Sequence, residues 1–262
     1  MTVLKHEMRS GIGAALVWSV ALSIFGVIAL AMYPLVANYS DMINYLVERM
    51  GLMGQIFNLQ DLNFYDFMTY YGLEYGNFMG LGGGMFAAVT GMVMVAREEG
   101  RHTAEYLYSQ PVGRASVLVQ KFLALVLMVT ILNLFCALVS LAGISFMNQA
   151  FDRDAFTWFH LSQLMMNLQV AVLCFGISCF KKRDNVVPGL GIVLAFYFLN
   201  LFINVNRQTD VLEYLTPYFY TDISRITASG GPLWRSIGLG FASSGAVFLA
   251  GFGCYLRKDL AI

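Results

Sequence analysis

Six long apolar segments decide what this chain can fold into. They run over residues 12–32, 77–96, 122–147, 161–180, 186–204 and 234–256. None carries Asp, Glu or Lys, and the one Arg among them, Arg235, stands at the edge of the last. About 20 mainly apolar residues in a helix cross the roughly 30 Å hydrocarbon core of a bilayer. A barrel strand would be about 10 residues long and alternate apolar with polar, which these segments do not. The expected fold class is therefore all-α: a polytopic membrane protein with six transmembrane helices in a single domain over residues 1–262. The third segment, about 39 Å long at 1.5 Å per residue, must tilt, kink or project from the bilayer. The first exceeds the usual apolar core of a secretory signal peptide, so it is expected to remain as a span.

Composition closes off the other classes. Hydrophobic residues make up 58% and charged residues 12%, against about 25% charged in ordinary soluble domains. A soluble enzyme or a disordered chain does not have this balance. Lys and Arg total 16, as do Asp and Glu, so no net field draws the chain to nucleic acid.

The few charges are not evenly placed. Six spans put both termini on one side, and that side holds 11 basic residues in short segments against 5 on the other. The positive-inside rule assigns the basic side to the cytoplasm. Of the acidic residues, 10 fall on the opposite side. Both termini are expected inside, with residues 33–76 and 205–233 outside.

Each connecting segment has its own character. Residues 40–53 space Met42, Ile43, Leu46, Val47 and Met50 as an amphipathic interfacial helix would. Residues 58–79 are rich in Phe and Tyr, which suits an aromatic belt or a cap on the spans, or else part of an outer gate. Residues 211–215 suit a short helix ending near Pro217, with Tyr218, Phe219 and Tyr220 at the interface. The N-terminal stretch mixes Lys5, Glu7 and Arg9 with apolar residues, as a short helix lying on the inner leaflet would. The first inner loop, residues 96–114, is charged. Thr103 can cap a helix over residues 104–109, which Pro111 and Gly113 end.

Three stretches resemble a known family. Lys5-His6-Glu7-Met8-Arg9 is similar to the basic–acidic elbow that precedes the first span in permease subunits of type-two ABC exporters. Residues 98–114, followed by Lys121, resemble that family's acidic–Gly–Thr–Leu–Ser–Pro–Val–Arg–Lys inner loop. The ending Tyr255-Leu256-Arg257-Lys258-Asp259-Leu260 is similar to its closing tail. The pattern departs at Tyr106-Leu107-Tyr108, where the family often has Leu-Leu. The resemblance implies a permease dimer, homo- or heteromeric, in a bacterial plasma membrane, driven by a separate ABC ATPase subunit that holds ATP and magnesium. It implies that Glu98, Glu99, Arg101, Thr103, Glu105, Leu107, Pro111 and Arg114 form the ATPase-coupling loop. The elbow of Lys5, Glu7 and Arg9 would help to seat that subunit.

The residues alone leave a channel or membrane scaffold open as the alternative. The chain has no Gly-x-x-x-x-Gly-Lys-[Ser/Thr] phosphate loop, so it is not expected to hydrolyse ATP by itself. Gly80-Leu81-Gly82-Gly83-Gly84 lacks the Lys and reads as small-residue helix packing at Gly80 and Gly84, a pattern repeated at Gly240 and Ser244. No catalytic set and no metal-ligand spacing stands out, and Cys136, Cys174, Cys179 and Cys254 read as packing residues. Neutral amides within spans act as glue between helices or line a cavity. Asn133, Gln169, Phe196, Asn200 and Asn204 are the candidates for a substrate path. Such a lining would suit an amphipathic, peptide-like or lipid-like cargo better than a small ion, which would need fixed charges.

Overall fold

The computed structural model describes residues 2–59, 66–97, 113–205 and 212–257. Six of its helices are long and apolar enough to cross a membrane: α1 (Thr2–Asn38), α4 (Phe67–Met94), α5 (Arg114–Phe146), α6 (Arg153–Phe180), α7 (Val187–Val205) and α9 (Trp234–Arg257). Short helices α2 (Ser40–Arg49) and α3 (Leu52–Ile56) follow α1. Single 3-10 turns over Leu212–Tyr214 and Phe219–Thr221, then α8 (Ile223–Ser229), separate α7 from α9. No strand occurs among the described residues.

Several spans start earlier than hydropathy alone suggests, because polar residues cap them. Asp66 accepts a hydrogen bond from the Thr69 amide at 2.8 Å, so α4 begins ten residues before the apolar run. Asp152 accepts from the Asp154 and Ala155 amides and starts α6 eight residues early. Each carboxylate satisfies amides that would otherwise be orphaned in a first turn.

The N-terminal stretch is not a separate helix on a leaflet. It is the first three turns of α1, which runs unbroken for 37 residues, about 55 Å at 1.5 Å per residue. Gly11 and Gly13 weaken a helix without ending it. Val3 and Glu7 are buried, and Leu4 and Met8 pack against the core, so tertiary contact holds the helix upright. Pro34, near its far end, is its single interior proline.

α1 lies along α5, and α6 lies between α4 and α9. In its most apolar stretch α6 is 67% buried, whereas α7 and α9 are only 22% buried. α6 is the inner post of the bundle, and α7 and α9 turn most of their surface outward. Three glycines let α6 touch its neighbours at backbone distance. A Cβ on Gly251 of α9 would fall 2.2 Å from the Gly176 carbonyl oxygen, and one on Gly91 of α4 would fall 2.9 Å from the Ala171 carbonyl oxygen. Gly80 and Gly84 serve another purpose: they make room for the Tyr218 side chain rather than for a helix.

The aromatic stretch after residue 66 faces inward. Phe67, Tyr70, Tyr71 and Tyr75 are buried and pack with Tyr33, Phe156, Phe159 and His160. Tyr71 and His160 share a hydrogen bond of 3.0 Å. They form the distal half of the core, the half away from the termini, and not a lipid-facing belt. Phe78 is the exception: it is exposed and stacks on Phe25.

Candidate functional site

Two constructions stand out, one at each end of the bundle. At the end bearing the termini, Glu7 of α1 is 3% exposed, and its two carboxylate oxygens take one partner each. Oε1 accepts from Lys121 Nζ at 2.7 Å, and Oε2 accepts from Arg97 Nη2 at 2.7 Å. Lys121, 1% exposed, also donates to the Met94 carbonyl oxygen at 2.9 Å. The Leu4 amide adds a bond to Gln120 Oε1 at 3.3 Å.

These partners bracket the segment between the second and third spans. Met94 and Arg97 end the stem that leads into residues 98–112, and Lys121 stands two turns into the helix that leads out. One carboxylate from the N-terminal helix thus ties both stems together. A full charge pair this deep needs close geometry to offset its desolvation, which the two 2.7 Å contacts supply.

Of the residues expected to couple to an ATPase, Glu98, Glu99, Arg101, Thr103, Glu105, Leu107 and Pro111 lie outside the described residues. Arg114 opens α5 and is half-buried. Of the elbow residues, Lys5 and Arg9 are exposed while Glu7 is buried. Lys121 is not a surface anchor. Nothing in local sequence marked it as the partner of a residue 114 positions away.

At the distal end the segment after α7 dips back into the bundle. Tyr218, Phe219 and Tyr220 are buried, not interfacial. Tyr218 donates to the Gly80 carbonyl oxygen at 3.1 Å and Tyr220 to Gln169 Oε1 at 2.7 Å, both near the middle of a spanning helix. Thr216 Oγ1 donates to the Phe196 carbonyl oxygen at 2.9 Å and holds the start of the loop to α7.

A cavity of about 70 Å³ lies beside this loop, between α4, α6, α7 and α8. Asn58, Asn77, Gln163, Asn200, Asn204 and Asp222 supply its polar lining. Asn58 holds a left-handed backbone, φ 53°, and donates through Nδ2 to Asp222 and to Ser224 Oγ, each at 2.9 Å. Asn204 is a strut: Nδ2 donates to the Ile56 carbonyl oxygen, and Oδ1 accepts from Arg225 Nη2, both at 3.2 Å.

The five residues expected to line a path therefore separate. Asn200 and Asn204 meet at this cavity. Phe196 lies one to two turns before them on α7, half-buried against the core. Asn133 and Gln169 are glue. Asn133 Oδ1 accepts from Asn167 Nδ2 at 3.0 Å between α5 and α6, and Gln169 receives Tyr220. Gln163 was not singled out, although its four-residue offset from Phe159 and Asn167 marks it as inward-facing.

No metal-binding cluster of His, Cys, Asp or Glu occurs among the described residues. The four cysteines are free thiols, three of them buried. No curated protein matches the sequence significantly. The family model described as ABC-2 family transporter protein matches residues 1–260, almost the entire chain. With six apolar helices and a charged, buried knot at the base of the loop between the second and third spans, the chain belongs to the ABC-2 family of transporter proteins and is a membrane permease subunit of an ABC transporter.

Proposed function

We propose that this chain forms the substrate pathway of an ATP-driven exporter and moves an amphipathic, peptide-like or lipid-like cargo outward. Power comes from a separate ATPase subunit, which holds ATP and magnesium and docks on residues 98–112. Two permease subunits, identical or not, form the working pair, with both termini of each in the cytoplasm.

The observation that best supports this reading is the Glu7–Arg97–Lys121 knot. A loop that only joins two spans has no need of a buried ionic tie at its base. A loop that receives a mechanical stroke does, because free stems would absorb the displacement. Here the stems of α4 and α5 are fastened to each other and to α1, so a push on the loop moves three spans together.

The test is co-expression with a candidate ATPase encoded beside this chain, followed by purification and transport in vesicles. Wild-type protein is expected to co-purify with the ATPase and to support ATP-dependent outward transport. Reversing charge at both Glu98 and Glu99 is expected to lower co-purification or to uncouple hydrolysis from transport. Unchanged nucleotide-stimulated transport in that double variant would refute the docking assignment.

A further inference from the structure

The distal cavity has an unbalanced set of hydrogen-bonding atoms. Gln163 is 1% exposed, and its Oε1 has no partner; Asn200 Oδ1 is likewise buried and unpartnered. Both residues line the cavity. A buried acceptor without a donor is disfavoured, so two in one small space form an arrangement that a donor-bearing ligand would relieve. The neighbouring amides direct their donors elsewhere: Asn58 Nδ2 to Asp222 and Ser224, Asn77 Nδ2 to the Leu73 carbonyl oxygen and Asn204 Nδ2 to the Ile56 carbonyl oxygen.

The charge and shape of the lining narrow the ligand further. Among the described residues, Asp222 is the one carboxylate on the cavity wall, and no Lys, Arg or His lines it. Arg225 forms an ion pair with Asp222 at 3.7 Å, so the carboxylate is shared between that pair and the cavity; the guanidinium also lies over the Phe219 ring and lines a neighbouring recess. Three rings, Phe57, Tyr197 and Tyr218, complete the wall. Carbonyl oxygens, one carboxylate and aromatic rings together suit a cation that carries N–H groups. The volume admits a head of a few heavy atoms and excludes a whole lipid or peptide.

We infer that this cavity binds the protonated primary amine head of an amphipathic molecule, with Gln163 Oε1 and Asn200 Oδ1 accepting its N–H bonds and Asp222 supplying the counter-charge. The tail stays outside, toward the lipid-facing surface of α7. The inference rests on the permease reading only in calling the ligand a substrate; the binding itself does not depend on it.

Binding is measured by titration calorimetry on the full chain in nanodiscs, with empty nanodiscs subtracted. Three probes of equal tail length separate the contributions: dodecylamine, dodecyltrimethylammonium, which has the charge without N–H donors, and dodecanol, which has a donor without the charge. Dodecylamine is expected to bind about tenfold tighter than either of the others. Gln163→Leu and Asn200→Leu are each expected to weaken dodecylamine about tenfold and to leave dodecyltrimethylammonium, which has no donor to lose a partner, unchanged. Gln163→Glu keeps the size, adds a second carboxylate and is expected to tighten dodecylamine. Equal affinity for the three probes overturns the inference, as does tighter binding of the trimethyl compound or a Gln163→Glu variant that binds no better. ATP-driven transport by the wild-type complex is scored separately. Amine-selective binding without transport would refute the exporter and keep the site; transport without amine selectivity would do the reverse.

Discussion

Consider Glu7→Gln. The substitution keeps the shape and removes the charge that Lys121 and Arg97 share. Lys121 is 1% exposed and Arg97 27%, so the two losses differ in size. Removing one carboxylate partner from a buried cation costs about 3–5 kcal/mol. The Arg97 contact, more open to solvent, is worth about 1 kcal/mol or less. The total is dominated by Lys121 and comes to about 4 kcal/mol, which in a chain of this size corresponds to a fall in Tm of roughly 10 °C.

The assay is thermal unfolding of the purified protein in one fixed detergent, repeated for Glu7→Met, for Lys121→Met and for the double variant that combines these two. Because an apolar pair in place of a buried ion pair is often near neutral, the double variant is expected to recover most of the loss, with a coupling energy above about 2 kcal/mol in the cycle. A Glu7→Gln protein within 1–2 °C of wild type would refute the reasoning, since that change is well below the roughly 10 °C expected. So would a double variant that shows the full sum of the single losses.

Three further outcomes follow from the packing. Gly251→Leu would drive its Cβ into the Gly176 carbonyl oxygen and is expected to separate α9 from α6, read as lost thermal stability and new protease cleavage. Tyr220→Phe removes the 2.7 Å bond to Gln169 and leaves a buried acceptor behind. Its expected cost is about 1–3 kcal/mol, read as a lower Tm and faster hydrogen exchange in residues 212–229. Asp152→Ala removes the cap of α6 and is expected to cost about 1 kcal/mol, with fraying confined to the first turn of that helix.

The spans were legible because crossing a bilayer demands long uncharged runs, and nothing else produces six of them. Their true starts were less plain. Residues 67–76 contain Thr, Glu and several Tyr, so composition reads as loop. Yet Phe67, Tyr71, Tyr75 and Met79 recur every four residues behind an Asp, which is the pattern of a capped helix with an inward face. The knot was not legible. Lys121 looks like an ordinary anchor at the edge of a span, and Glu7 like one member of a mixed-charge tail. Only the packing of α1 on α5 brings the two together. The inward dip of Tyr218 and Tyr220 was hidden for a related reason: a tyrosine suits a membrane interface and a buried hydrogen bond equally well, and local sequence does not choose between them.

The length of α1 has a mechanical meaning. A helix of 37 residues that is gripped at Glu7 and carries its single interior proline at Pro34 behaves as a stiff rod with its weak point near the far tip. Tilting its foot by a few degrees would swing that tip by several ångströms, in proportion to a length of about 55 Å. The tip carries the Ala29 carbonyl, bonded to Tyr70, and Tyr33, packed on Phe67. The aromatic core at the distal end therefore sits at the long end of a lever whose short end is held beside the stems of α4 and α5.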